Sequence, residues 1–499
     1  MAYTAPPKDT VIIVGGLGTR AGAADINGGG ATKAAWDAGS PSDFMDANGG
    51  PITATTNGAF DYGDKTITAV GLGVGVTVGT LCRCNDGADE ASFFDGWYEV
   101  TTVADNVLTF ANISLSGIDT DQAVDVDCVV GGTIDILRSA LDLGVNNGAL
   151  YSRYIYNNVS EEETEVSVQA DVYGGSASTK VYVIGYNATL TAEASITLTC
   201  TADITGEVAV VDRSLFSVVT VDYLEFRNIN FNAGGKDASK AMYAFYAAAS
   251  GDGQYNSFYN CNFYGAELDG VNVRSEYVSF VNCGMYLNGQ YGFNSLAASA
   301  YYQKFICCTI HDNDNHGMYV EPVTCVFVGN LIYDNGKGET GSGIYFQDNG
   351  VNSIFINNTI YGNWDSGIYY RSDQYGDTFI NNAFIGNGDS GIDMNGGTAS
   401  QFLYFGYNLA GANTTDAISD GYDFATFCNG NNVDSAQTAD QLLKTITDGS
   451  EDFTPETSSD LIDAGLDGVY GELDIGAVQS AGGGGGLLTH PGMSGGMRG

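Results

Sequence analysis

The 499-residue chain reads as an all-β protein whose middle is a stack of short repeated coils, and three observations predict this. Glycine is frequent and proline scarce, 69 residues against 7, so the chain is turn-rich without being collagenous or proline-rich. Its acids are 44 Asp against 16 Glu, and Asp favours turns and strand ends where Glu favours helices. The third observation is a phrase that recurs through residues 226–384: Phe, a variable residue, Asn, Asn or Cys, a variable residue, then Ile or Phe. With 44% apolar residues there is enough material for a large core, which excludes a wholly disordered chain.

Residues 1–50 are rich in Gly, Ala and Asp and read as an N-terminal arm. Residues 51–130 read as a small β module, with strands expected at Thr66 to Val70, Gly75 to Cys82, Trp97 to Val103, Val107 to Ala111 and Ala123 to Val129. Its phrases GVTVGTLCRCND and DGWYEVTTVADNVLTF resemble a small β-barrel module met in tailed-bacteriophage structural proteins. Next comes Thr133 to Leu143, with apolar Ile134, Leu137 and Leu141 at helical spacing, Thr133 as N-cap and Gly144 as stop. A short amphipathic helix there would cover the open first coil of the stack.

The repeat itself starts at Phe226, Phe258, Phe280, Phe305, Phe327, Phe355 and Phe379, at spacings of 32, 22, 25, 22, 28 and 24. A second phrase, Gly followed by an apolar residue, falls at Gly270, Gly292, Gly317, Gly343, Gly367 and Gly391. A unit of about 24 residues cannot bury its own apolar face, so neighbours must stack. Stacking predicts ladders of equivalent residues roughly 4.8 Å apart. Aligned on the Phe, the third place is Asn228, Asn260, Asn282, Cys307, Gly329, Asn357 and Asn381; the fourth is Ile229, Cys261, Cys283, Cys308, Asn330, Asn358 and Asn382. The ninth place gives Asn288, Asn313, Asn335, Asn363 and Asn387. Stacked Asn amides satisfy one another at turns and tolerate left-handed backbone, while Cys fills the core.

This pattern resembles the right-handed parallel β-helix of pectate-lyase-like solenoids over roughly residues 131–480. Ser458 to Gly465 (SSDLIDAG) with Leu473 to Val478 (LDIGAV) resembles the final-turn signature of such domains. The resemblance implies a fold and leaves function to the site. After it, Gly482 to Gly486 form a tether. Residues 481–499 then carry Leu487, Leu488, His490, Met493, Met497 and Arg498 without one acid, the composition of a docking tail that orders on a partner. A disordered terminus or a cloning remnant is the alternative.

A net charge of −42 argues against nucleic-acid or anionic-membrane partners. No secretory signal or membrane span is visible, and ten Cys without zinc spacing suit a reducing compartment; no cofactor or metal is expected. Asp365 and Asp389, both in Asp-Ser-Gly-Ile and 24 residues apart, are the best carboxylate pair for acid catalysis or a cation, with turn capping as the alternative. Asp312 and Asp334 form another stacked pair beside His311 and His316, and Asp312 to Gly317 starts like a calcium loop but lacks its closing Glu. Arg274, Lys304, Lys337 and Arg371 are too scattered to neutralise a uronate as pectate lyases must. Glu161, Glu162, Glu163 and Glu165 read as a solvated loop.

Tyrosines complete the pattern. Tyr264, Tyr286, His311, Tyr333 and Tyr361 share the seventh place, and Tyr319, Tyr345 and Tyr369 follow the glycine phrase. Turned outward, the latter would face glycan or a neighbouring chain; turned inward, they are core. The expected function is a structural protein of a tailed-phage-like virion, a spike, fibre or capsid decoration assembled in the host cytoplasm. Its expected partners are other virion proteins of capsid or tail, copies of itself, most plausibly as a trimer, and host surface glycan. The alternatives are a tailspike-type polysaccharide depolymerase and a bacterial surface adhesin.

Overall fold

The computed structural model describes residues 10–14, 30–45, 51–61, 64–86, 96–110, 122–131, 153–157, 161–163, 168–170, 180–200, 214–218, 222–238, 240–247, 254–295, 301–321, 324–347, 352–372, 376–395, 402–419, 424, 432–445 and 452–461. The chain divides into two units. The expected capping helix at Thr133 to Leu143, Glu165 and the whole tail from Ala481 lie outside the described residues.

The first unit comprises residues 1–162, 168–198 and 218–230. It contains a closed antiparallel barrel of six strands: Thr53–Asp61, Thr66–Thr68, Val107–Phe110, Gly96–Ala104, Leu81–Asp86 and Gln122–Val130 in spatial order. Alternation drives it, since Leu108 and Phe110 turn inward to join Phe60, Ile67, Tyr98 and Val126 in one core. The strand expected from Gly75 begins only at Leu81. Gly71, Gly75 and Gly79 have φ of 74, 79 and 90°, a left-handed path that makes turns instead.

The same unit holds parallel rungs at Thr10–Val14, Arg153–Asn157, Val181–Gly185 and Leu224–Arg227, each paired in register with the next. Part of the stretch read as an arm is therefore a sheet strand. In sequence it holds the unbroken apolar run Val11 to Val14, as strands of parallel sheets do. The backbone of Glu161–Glu163 is a strand too, where a loop was expected.

The second unit comprises residues 163–167, 199–217 and 231–499. Successive turns contribute strands of two to five residues to three parallel sheets. The first sheet runs from Ser257–Tyr259 to Tyr404–Gly406, the second from Asn262–Tyr264 to Val433–Ser435 and the third from Tyr243–Ala247 to Ile392–Asp393. The chain makes about 8 such turns of about 26 residues, slightly more than the repeat spacing suggests. Strand register is uninterrupted throughout, as in Phe280↔Phe305↔Phe327↔Phe355, so length differences fall in the connections.

Each expected ladder forms. Phe258, Phe280, Phe305, Phe327, Phe355 and Phe379 stack inside the coil with centroids 4.4 to 5.3 Å apart. Third-place residues from Asn260 to Asn381 all have φ between 53 and 66°, which explains why Asn and Gly recur there. The ninth-place amides form one buried chain, Asn288 to Asn313 to Asn335 to Asn363 to Asn387, at 2.9 to 3.0 Å. Fourth-place amides form another, Asn330 to Asn358 to Asn382 to Asn408. Cys261, Cys283 and Cys308 fill the same place in earlier turns, buried as core. A helix, Ala439–Leu442, and an antiparallel hairpin, Leu443–Thr445 with Asp452–Pro455, follow the last turns.

Candidate functional site

Asp365 and Asp389 lie on successive turns, linked by an Asp389 N–H to Asp365 C=O bond of 3.0 Å. Asp365 Oδ2 accepts from the Gly341 N–H of the preceding turn at 2.8 Å. That is the capping role offered as the alternative to catalysis. Asp312 is held by His311 Nδ1 at 2.8 Å and Lys337 Nζ at 3.1 Å. Burial favours its neutral form, but these two partners together hold the carboxyl below its ordinary value. His311 is itself sandwiched between Tyr286 and Tyr333 at 5.0 and 4.8 Å. The seventh-place stripe thus packs within the molecule, and Phe453 of the terminal hairpin covers Tyr333 and Tyr361.

The third sheet carries the most distinctive surface. Its inward row is Val271, Phe293, Met318, Ile344, Ile368 and Ile392, and its outward row is Tyr246, Asn272, Asn294, Tyr319, Tyr345, Tyr369 and Asp393. The nominated tyrosines therefore point out, each half-buried. Their faces are occupied, because Tyr291, Tyr319, Tyr345 and Tyr369 stack at 4.9 to 5.0 Å. What the stripe presents is ring edges and hydroxyls. His316 stacks on Tyr291 and Tyr345, and its Nδ1 accepts from Ser342 N–H at 2.9 Å. Burial lowers its pKa to about 4, so it is a neutral member of the stack.

Beside this stripe lies a centre that sequence reasoning missed. Asp269 Oδ2 accepts from Asn272 Nδ2 at 2.9 Å and Asn294 Nδ2 at 2.8 Å, all three residues buried. Burial raises the Asp269 carboxyl to about 6 even against those bonds and a further one from the Tyr291 backbone. Asp269 Oδ1, Asn272 Oδ1, Asn294 Oδ1 and Ser295 Oγ are buried with no hydrogen-bond partner among the described residues. The charge of Asp269 adds to burial in raising Tyr243 and Tyr291, the latter to about 12. Each such oxygen can accept from a hydroxyl or a water. A carboxyl poised near 6 can also deliver a proton. The only sequence signal was Asp269-Gly270 in the glycine phrase, which looks like any other turn.

Residues 216–375 match the family model described as the right handed beta helix region. The fold is a right-handed parallel β-helix. Among solved structures, the β-helix is similar to pectate lyase Pel9A, with a TM-score of 0.50 and 16% identity over 70% of this chain and 91% of that one. A tailspike protein of an Escherichia coli bacteriophage gives a TM-score of 0.39 at 11% identity, over 71% of this chain and 45% of that one. A Geobacillus virus protein gives 0.38 at 12% identity, over 57% and 54%. No curated protein matches the chain by sequence. At such identities the likeness to the pectate lyase speaks for the β-helix alone.

A second cluster, in the barrel, also escaped the search for zinc spacing: Cys82, Cys84 and Cys128 bring their sulfurs within 4.8 Å of one another. The tail residues Leu487, Leu488, His490, Met493, Met497 and Arg498 lie outside the described residues.

Proposed function

We propose that the protein is a β-helical component of a tailed-phage-like virion that attaches to surface glycan through the outward row of its third sheet. The observation that carries this reading is the row itself. Successive turns set amides, then tyrosine edges, at strand spacing, which matches an extended chain bearing many hydroxyls. The module at residues 51–130, with its likeness to phage structural proteins, supports the virion part. The acid-free tail supports docking on capsid or tail proteins, and a trimer is the proposed assembly.

The test uses purified full-length protein and host cells with and without their capsule or lipopolysaccharide. Tyr345→Ala and Asn294→Leu are expected to reduce retention on the glycan tenfold or more while the circular dichroism stays that of wild type. Equal retention by both variants removes the contact face from the proposal. Mass spectrometry of purified particles tests the virion assignment separately.

A second reading is favoured by Asp269. A buried carboxyl with a raised pKa beside unpartnered oxygens suits a general acid for glycosidic cleavage. In a depolymerase, Asp269→Asn would abolish release of reducing ends, while Asp365→Asn and Asp389→Asn would retain it. Absence of release by wild type rejects this reading.

A further inference from the structure

We infer that Cys82, Cys84 and Cys128 form a trithiolate site for a soft, thiophilic cation, Cu(I) foremost, inside the N-terminal barrel. Cys82 and Cys84 are two apart on Leu81–Asp86, so both turn to the same, inner side. Cys128 lies directly opposite Cys84 in the antiparallel register with Gln122–Val130. The Cys82 sulfur is 2.9 Å from that of Cys128 and 3.5 Å from that of Cys84. All three are buried free thiols.

The coil provides an internal contrast. Cys261, Cys283 and Cys308 are equally buried, but each directs its S–H at a backbone carbonyl, those of Tyr259, Phe258 and Phe280 among them. Those are ordinary core cysteines. Cys283 also meets the thiols of Cys261 and Cys308, but among the described residues only the barrel brings three sulfurs within 4.8 Å of one another, in a cluster with Phe60, Tyr98, Val126 and Val130. Burial holds Cys82 and Cys84 above the ordinary thiol range, while hydrogen bonds from both hold Cys128 below it.

A cation about 2.3 Å from each sulfur would spread three trigonal sulfurs to about 4 Å apart, widening the 2.9 and 3.5 Å separations by about 1.1 and 0.5 Å. Binding Cu(I) as a trithiolate releases the three thiol protons to solvent and changes no oxidation state. Three thiolates without a fourth donor suit Cu(I) better than Zn(II), which takes four ligands in closed sites.

The experiment takes full-length protein, reduced and handled without oxygen, and titrates it with Cu(I) held by a competing chelator. One equivalent per chain is expected, with a thiolate-to-metal charge-transfer band in the ultraviolet and a rise in the barrel's melting temperature. Cys82→Ser, Cys84→Ser and Cys128→Ser should each weaken binding tenfold or more, and Cys283→Ala should not. Because a Ser variant can misfold, the wild-type stoichiometry stands as an independent readout. Wild-type protein that binds no Cu(I), or binds it unchanged after Cys128→Ser with the barrel folded, overturns the inference. So does peptide mapping that finds a Cys82–Cys128 disulfide in unreduced protein.

Discussion

Asn335 shows what a single ladder residue does. Its Nδ2 donates to the carbonyls of Ile310 and Tyr333 and to Asn363 Oδ1, at 3.1, 3.0 and 3.0 Å, and its Oδ1 accepts from Asn313 Nδ2 at 2.9 Å. Asn335→Leu would take the side-chain donor from the carbonyls of Ile310 and Tyr333 inside the coil, each costing about 1–3 kcal/mol, while Asn313 keeps the carbonyls of Met285 and His311 and Asn363 Oδ1 keeps the Asn335 N–H, so a loss of at least about 2 kcal/mol is expected in urea unfolding. A smaller loss would mean that water enters the coil. Asp377 shows the opposite case, a group whose burial is unfavourable. It accepts from Ser353 N–H at 2.7 Å and Tyr370 O–H at 3.0 Å, yet burial outweighs both and raises it to about 7. In the unfolded chain it titrates near 3.8, so between those values the folded state keeps a proton that the unfolded state has lost. Its contribution to stability is therefore fully present below about pH 4 and falls by up to about 4 kcal/mol as pH rises to about 7. Asp377→Asn removes that slope while leaving an acceptor for Ser353. The variant's advantage over wild type in urea midpoint should widen from about pH 4 to about pH 7; parallel curves would refute the assignment. Asp269, raised to about 6, follows the same sign.

Strands of three residues have little stability of their own, so each element depends on its neighbours in the stack. The terminal hairpin is the clearest dependant, since Phe453 packs against Tyr333 and Tyr361 at 4.7 and 5.7 Å and joins Leu442 and Leu443 in one buried cluster. Phe453→Ala should cost about 3–5 kcal/mol locally. In hydrogen exchange, Leu443–Thr445 and Asp452–Pro455 should lose protection while Leu331–Tyr333 keeps it, and a uniform loss across all turns would show that the hairpin is integral to the coil. The same dependence explains what was legible. Parallel register repeats one environment at one spacing, so Phe226, Asn335 and Cys283 each announce their ladder by recurrence. Asp269 does not recur, and Asn272 and Asn294 share one place for only two turns before tyrosine takes it over, so no ladder announces them. Cys84 and Cys128 meet only because two antiparallel strands set them opposite, which no spacing rule encodes. Thr10–Val14 went unread because four consecutive apolar residues alone carry no period.

Across the whole chain, 60 acidic residues against 18 basic ones leave self-repulsion as the dominant long-range term. Cations offset it at few places on the surface of the described residues, as where Lys33 meets Asp37 and Lys236 meets Asp314, both at 2.6 Å. Exposed pairs of this kind are worth about 0–1 kcal/mol each, and salt weakens them. Repulsion among the surplus acids is weakened by the same salt, as the screening length shrinks from about 30 Å at 0.01 M to about 8 Å at 0.15 M. With 42 uncompensated charges, relief of repulsion should exceed loss of pairs, so the melting temperature should climb with sodium chloride over that range. A fall would mean that local ion pairs govern stability instead. Calcium at matched ionic strength separates screening from binding. An added rise beyond sodium chloride that disappears in Asp269→Asn would place a cation at the unpartnered oxygens of Asp269, Asn272 and Asn294, whereas an added rise that survives the substitution would assign it to the diffuse acidic surface.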